Sequence, residues 1–355
     1  MHHDRARQGD YDERLITSKL AVLDGIPDAD PAIPAYLLQS WARSVAFGIR
    51  NDARLLQSAN FPQYVIDEQD RWLSEVVGEE IDSIWDSFGG EHWAVYCINA
   101  QALIIRARHG TNPASRAFAL HVGRRIQERD IGTTAPACVL SEQRAITLIG
   151  SEHYLDEFAN LFCCAVPVWG PWGSLVGVLN ITGSEEFKSR LVEQKLSAAA
   201  VKIENRLFMD AHRGNRIVRI HFDESFVETQ LAGLLAVNEY GDILSATRKA
   251  LEMLDHIDLF NTRRQMTDLF VDDLSEGGGG RVKTRLKNGI AFYLDEPMHA
   301  AQAPSSGFKG SLRAVSSQYA EQMLQEANGN VSLAARRLGV SRTTLYRALN
   351  QRVSV

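Results

Sequence analysis

Polar and helical spacing dominates the first quarter of the chain. Residues 11 to 75 read as helix, interrupted by Pro27, Pro31 and Pro34. After that cluster, AYLLQSWARSVAFGI sets Leu37, Leu38, Trp41, Val45 and Ile49 near a helical period. No strand signal precedes Trp93. From there the runs become short, apolar or alternating: WAVYCINA, ALIIRARHG, RAITLIG, LFCCAVPVWG and SLVGVLNITG. His109 to Pro113, Gly150-Ser151 and Trp169-Gly170-Pro171-Trp172-Gly173 punctuate them as turns, the last as a hairpin turn. A helix from Leu191 to about Ala211 follows. Its Leu196, Ala199 and Ile203 form either a dimer seam or the face laid on a sheet. An antiparallel sheet flanked by helices accounts for this pattern.

A second small α+β unit comes next. GLLAVNEYGDILSATRKALEML reads as strand, tight turn at Tyr240-Gly241-Asp242, strand and helix. RVKTRLKNGIAFYLDE reads as two strands about Asn288-Gly289, a strong hairpin dipeptide. Gly277 to Gly280 reads as a flexible loop, and PMHAAQAPSSGFKG has linker composition. From Val315 onward the pattern is helical.

Length and composition fit this picture. A chain of 355 residues is a prior of two or three domains. Its balance of 45% hydrophobic and 23% charged residues is that of a globular protein. No apolar run reaches membrane-spanning length and the N-terminus has no signal-like apolar core, so the expectation is a cytoplasmic protein without a membrane partner. The net charge of −6 hides a split. From Val315 to the end the count is five arginines (Arg336, Arg337, Arg342, Arg347 and Arg352) against Glu321 and Glu326, so the tail is +3 and the remainder −9. A basic tail on an acidic chain directs attention to nucleic acid.

That tail, SQYAEQMLQEANGNVSLAARRLGVSRTTLYRALNQRV, carries the sharpest motif. Val315, Tyr319, Met323 and Ala327 stripe a first helix, and Asn328-Gly329-Asn330 ends it. Ala334, Ala335 and Leu338 face inward on a second. Gly339 permits a tight turn, and Ser341 caps a third. Two short helices joined by a Gly turn form a helix-turn-helix, whose second helix puts its N-terminal residues against base edges. The DNA-contact candidates are Ser341, Arg342, Thr343, Thr344, Tyr346 and Arg347. Arg342 has the reach for a bidentate contact to guanine. One such module buries little surface, so a homodimer on an inverted-repeat operator in double-stranded DNA is expected.

These residues resemble the Fis-type helix-turn-helix that ends many bacterial enhancer-binding regulators, through Gly329-Asn330, Ala334-Ala335, Leu338-Gly339, Ser341-Arg342, Thr344-Leu345 and Arg347. The resemblance extends upstream. Leu38 to Ser44 with Gly48, Ile131 to Ala135, Gly150 to Leu155, Phe162 to Val168 and Gly177 to Gly183 resemble segments of acetoin- and dihydroxyacetone-type catabolic activators. The resemblance implies an α+β multidomain chain: an N-terminal helical segment (1–80), a GAF-type sensor (81–211), a PAS-like domain (212–297), a linker (298–314) and an all-α helix-turn-helix domain (315–355). It also implies a small-molecule effector, held by candidates Thr133, Thr134, His153, Cys163, Cys164 and Asn180, and RNA polymerase as a further partner. Three positions depart from the pattern. Thr134 stands for Asn, Cys164 stands for Ser, and Pro136 interrupts the following helix.

The chemistry that is missing narrows the function. The four cysteines have no zinc or C-x-x-C spacing, so they read as buried thiols or as redox or effector contacts. No cofactor, metal site or catalytic residue is expected. The family resembled carries an ATPase, which needs G-x-x-x-x-G-K-[ST]. The nearest stretch, Gly277 to Thr284, has Val282 where the second Gly belongs and leads into a strand. The reading is a ligand-responsive, DNA-binding transcriptional regulator that works without ATP hydrolysis. Alternatives are an antagonist that pairs with a full-length activator, and a GAF-fold cysteine reductase.

Overall fold

Three helices open the chain: α1 (His2–Leu23), α2 (Ala35–Ala46) and α3 (Glu68–Phe88). The computed structural model describes residues 2–26, 30–55, 66–91, 93–111, 120–184, 189–255, 264–271 and 280–296, with Leu324 and Val331. Within these, the chain forms an α+β structure with two antiparallel sheets. It divides into two units, residues 1–169 with 175–203, and residues 170–174 with the chain from 204 onward.

The first sheet uses β1 (Ala94–Asn99), β2 (Ile104–His109), β3 (Ile146–Ile149), β4 (Leu161–Trp169) and β5 (Leu175–Ser184) in the order β2-β1-β5-β4-β3. Helices α4 (Glu128–Ile131) and α5 (Ala135–Glu142) lie between β2 and β3 in sequence. The Trp169 to Gly173 turn joins β4 to β5 as expected. Gly173 takes φ +77°, and Gly170 N–H donates to Ser174 O at 2.7 Å.

Every residue of β1 is buried, so both faces of this sheet are covered. One face contributes Tyr96, Ile98, Leu148, Cys163 and Ala165 to a core that also holds Leu15, Leu37 and Trp41 from the first two helices, and Cys138 and Val139 from α5. The first two helices therefore share the core of the sheet that follows them. Helix α6 (Arg190–Ala211) begins beyond β5. Its Leu196, Ala199 and Ile203 are at most 1% exposed. The chain itself covers that stripe, which leaves it as a packed face rather than an open dimer seam.

Pro136 starts α5 rather than interrupting it. The helix begins at Ala135, and Pro occupies its first turn. N–H groups there have no intrahelical acceptor, so losing one costs nothing in the helix ladder.

In the second unit, β6 (Arg216–His221), β7 (Gly233–Val237), β8 (Ile243–Ala246), β9 (Gly280–Arg285) and β10 (Ala291–Glu296) pair in the order β8-β7-β6-β10-β9. Helices α7 (Arg248–Met253) and α8 (Met266–Leu269) supply Ala250, Met266 and Leu269 to a core with Val218, Leu235, Phe270 and Phe292. The expected turns are present, Gly241 at φ +81° and Gly289 at φ +91°. Gly280 opens β9, and Gly277 to Gly279 lie outside the described residues, as do the DNA-contact candidates Ser341, Arg342, Thr343, Thr344, Tyr346 and Arg347.

Candidate functional site

The buried face of α2 is Leu37, Ser40, Trp41 and Ser44, an i, i+3, i+4, i+7 stripe half of whose members are hydroxyls. Both hydroxyls are paired, Ser40 from α4 and the segment after it, Ser44 chiefly within α2 itself. Ser40 Oγ donates to Glu128 Oε1 at 2.6 Å and lies 2.8 Å from Thr133 Oγ1. Ser44 Oγ donates to Ser40 O at 3.0 Å and sits 3.4 Å from Thr133 Oγ1. Cys138 Sγ approaches Ser40 Oγ at 3.7 Å. Thr133 is fully buried, and this network fixes α2 against the α4–α5 connection away from bulk solvent.

Thr134 follows at the N-cap of α5, also buried, yet its side chain makes no capping bond and Oγ1 has no partner. Thr133 O accepts the Tyr154 N–H at 3.3 Å, which joins this segment to residues 150–154. Gly132, at φ +70°, allows that approach. A Cβ there would lie 2.7 Å from the Tyr154 ring.

His153 is buried completely, with its ring edge-on to Phe158 at 5.6 Å. Burial pushes its pKa down to about 4, against the bond to Gly150 O, so the imidazole is neutral at pH 7. Nδ1 lies 3.0 Å from Gly150 O, and Nε2 has no partner. The surrounding backbone is clasped by the N-terminal helices. Lys19 Nζ donates to His153 O at 2.8 Å, and Trp41 Nε1 to Glu152 O at 2.9 Å. Tyr11 donates to Glu152 Oε1 at 2.8 Å. Burial lowers the Lys19 pKa, with Asp156 acting in the opposite direction.

Asn180 lies on the sheet between Tyr96 of β1 and Ala165 of β4. With its amide oxygen toward the hydroxyls, it accepts from Tyr96 Oη at 3.1 Å and Thr182 Oγ1 at 2.9 Å and donates to Cys164 O at 3.0 Å. Cys163 Sγ lies 3.1 Å from Thr182 Oγ1 on the same face. Strand alternation puts the Cys164 side chain on the other face, where Thr147 bonds it and Glu193 of α6 acts on it electrostatically. Of the six effector candidates, Thr133 is joined by one backbone hydrogen bond to Tyr154, the neighbour of His153 in sequence, and Thr134 follows at the N-cap of α5. Cys163 and Asn180 share a sheet face, and Cys164 points away from both.

Burial raises the thiols of Cys97, Cys138 and Cys163 to about 12 and that of Cys164 to about 11. A nucleophilic cysteine needs the opposite shift. Among the described residues no group of three or more His, Cys, Asp or Glu is placed to hold a metal ion, and no helix is long and apolar enough to cross a membrane.

Sequence reasoning missed Ser40, Ser44, Arg43, Glu128 and Lys19 as participants. The signal for the serines was positional. They fill the gaps in the Leu37–Trp41 stripe, and a polar residue at a core position requires a partner.

Comparison with known proteins completes the picture. Residues 311–351 match the family described as bacterial regulatory protein, Fis family. The C-terminal segment is of the Fis type. Over 233 residues the chain is 25% identical to the acetoin catabolism regulatory protein of Cupriavidus necator, a match covering 62% of this chain and 34% of that protein. Over 268 residues it is 20% identical to a signal-transduction and transcriptional-control protein of Clostridium beijerinckii, covering 74% of this chain and 41% of the relative. The chain therefore spans well under half the length of these regulators. The crystal structure of the E. coli DhaR(N)–DhaL complex aligns with 75% of this chain and all of the matched chain, at TM-score 0.47 and 14% identity.

Proposed function

We propose that this protein is a transcriptional regulator that reads operator DNA through its Fis-type segment and responds to a small-molecule effector held in the first sheet unit. The observation that carries the reading is the Fis-family match over residues 311–351, in a tail that carries a net basic charge while the chain as a whole is acidic. The similarity to the acetoin catabolism and transcriptional-control regulators supports the same class. In this reading the first unit is a GAF-type sensor, the second is PAS-like, and Thr133, Thr134, His153, Cys163 and Asn180 are the effector-side groups. Arg342 reads bases from the recognition helix, with Ser341, Thr343, Thr344, Tyr346 and Arg347 around it.

The regulator acts in the cytoplasm as a homodimer on an inverted repeat, and contacts RNA polymerase without hydrolysing ATP. The last point rests on the sequence, which has no G-x-x-x-x-G-K-[ST] motif in its 355 residues. The test is a chromatin-occupancy map in cells followed by footprinting with the purified chain. Discrete sites with two-fold symmetry support the reading. A chain that binds no DNA alone, and only blocks a full-length activator, overturns it in favour of an antagonist. ATP hydrolysis by the purified chain, with or without operator, overturns the ATP-independent mechanism.

A further inference from the structure

We propose that the open part of the second sheet's outer face contacts the phosphates of double-stranded DNA, with Lys283, Arg285 and Lys287 as its cations. This rests on the regulator reading above and adds a second, sequence-independent contact to that of the Fis-type segment.

Strand alternation and register define the two faces of this sheet. Leu235, Phe292 and Leu294 point into the core. The opposite face is covered at β6 and β7, where Phe208 of α6 packs with Ile217, Leu234 and Ala236. At β9 it is open. Thr284 and Leu286 are buried there, whereas Arg281, Lys283, Arg285 and Lys287 are exposed. Lys283 lies opposite Tyr293, and Tyr293 opposite His221, so the cations of β9 extend the face of Ile217.

Strand β9 is an edge, and charge on an edge discourages pairing with another chain. A single charge of either sign serves that end. Between Gly280 and Ala291 the chain instead carries four basic residues and no acidic one. Arg281 is compensated by Glu224, at 3.2 Å, and by Glu228. Among the described residues no carboxylate pairs with the other three. Lys283 Nζ stands 5.6 Å from the centre of the Tyr293 ring, and Arg285 Nη1 donates to Gly289 O at 2.8 Å. Both contacts orient a side chain and leave its charge unneutralised.

Pitch and tether select DNA as the polyanion. Alternate residues of a strand stand about 6.8 Å apart, the axial rise of two nucleotides along one DNA strand. A row of that pitch can follow a phosphate chain. Strand β10 ends at Glu296 and the Fis-family match begins at residue 311, so 14 residues, 297–310, join them. That length spans at most about 50 Å, which makes the second contact intramolecular once the tail is bound.

The experiment measures binding of the full chain to a mixed-sequence duplex across a salt series. Each phosphate contact contributes about 0.9 to the slope of log affinity against log salt. The variant Lys283→Gln/Arg285→Gln/Lys287→Gln should lower that slope by about 2–3 and weaken binding at least about tenfold near 0.1 M salt. Lys283→Arg/Arg285→Lys/Lys287→Arg should keep the wild-type slope, and a fall there overturns the proposal by showing that packing rather than charge is responsible. The exposed Arg50, Arg54 and Arg190 of the first unit supply the control. Their change to Gln removes the same net charge and should leave the slope unaltered. An equal fall in this control overturns the proposal, since net charge then suffices. An unchanged slope in the first variant overturns it too. Precipitation of that variant would then make the row an edge guard, and lost output at a mapped promoter would assign it to an acidic protein surface. A wild type that binds no duplex at any salt overturns the regulator reading itself, whereas wild-type binding with an unchanged slope removes only the present proposal.

Discussion

Arg43 and Glu128 meet in a two-point ion pair, Nε to Oε2 at 2.6 Å and Nη2 to Oε1 at 2.7 Å. The carboxylate is nearly enclosed and the guanidinium is partly open to solvent. The pair raises the Arg43 pKa, chiefly through the Glu128 hydrogen bond. Because Glu128 Oε1 also receives Ser40, one carboxylate ties α2 to the start of α4.

Glu128→Gln keeps the size and loses the charge. We expect it to destabilise the chain by about 1–2 kcal/mol in urea unfolding, less than a fully buried pair because Arg43 can turn to water. Arg43→Ala should cost a similar amount. If the double variant costs the sum of both, the two groups are not coupled and the tie is geometric only.

DNA reading is tested at Arg342. Arg342→Ala should remove about 1–3 kcal/mol of operator affinity and relax the preferred base at one position. Arg347→Ala should weaken binding to all sequences alike. A binding titration in which Arg342→Ala preserves the base preference transfers the specificity to another residue.

Glu204 gives stability a dependence on alkaline pH. Burial raises its carboxyl from 4.5 to about 7, opposed by the Arg248 backbone N–H, which it accepts at 2.7 Å. A folded-state pKa above the unfolded one means the contribution is complete below pH 4.5 and is lost as pH rises through 7. Glu204→Gln retains the acceptor and removes the titration. Its unfolding free energy should exceed that of the wild type by about 1–3 kcal/mol at pH 8 and match it near pH 4. Parallel pH profiles for the two proteins would show that Glu204 does not titrate in this range.

His153 and His212 set the acid side. Burial lowers both from 6.5 to about 4. A folded-state pKa below the unfolded one means stability is full above pH 6.5 and lost as pH falls through 4. His212 lies between Phe208 at 4.7 Å and Trp172 at 5.9 Å, so His212→Phe keeps an aromatic ring there. The variant should lose about 2–3 kcal/mol less than the wild type between pH 6.5 and pH 4. An unchanged acid limb, followed by circular dichroism, would assign the loss to other groups.

The parts of the fold that carry turn chemistry were legible in the sequence. Trp169 to Gly173, Gly241 and Asn288-Gly289 each mark a hairpin that forms. Strand β6 was not read, although it is the centre of the second sheet. Arg216, Arg219 and His221 make RIVRIH look like surface, and the residue that compensates Arg219 is Asp295, 3.4 Å away on β10 and distant in sequence. The site was half legible for the same kind of reason. Thr133 was singled out and lies at the centre of a buried hydroxyl network, but its partners Ser40 and Ser44 were passed over because a helical stripe was searched for apolar residues alone. Cys164 was grouped with Cys163, although adjacent strand residues take opposite faces.

The strand order of the second sheet also bears on how the chain is made. Strand β6 pairs on one side with β7 immediately after it, Ile220 opposite Gly233, and on the other with β10, Ile220 opposite Leu294. A nascent chain can close the first pairing early, while the other edge of β6 stays open until the β9–β10 hairpin has left the ribosome. Throughout that interval Val218 and Ile220 flank an unsatisfied row of backbone donors and acceptors, open to any extended segment that arrives first. The two arginines in this strand place like charges on that row, which disfavours its pairing with the same strand of a neighbouring nascent copy.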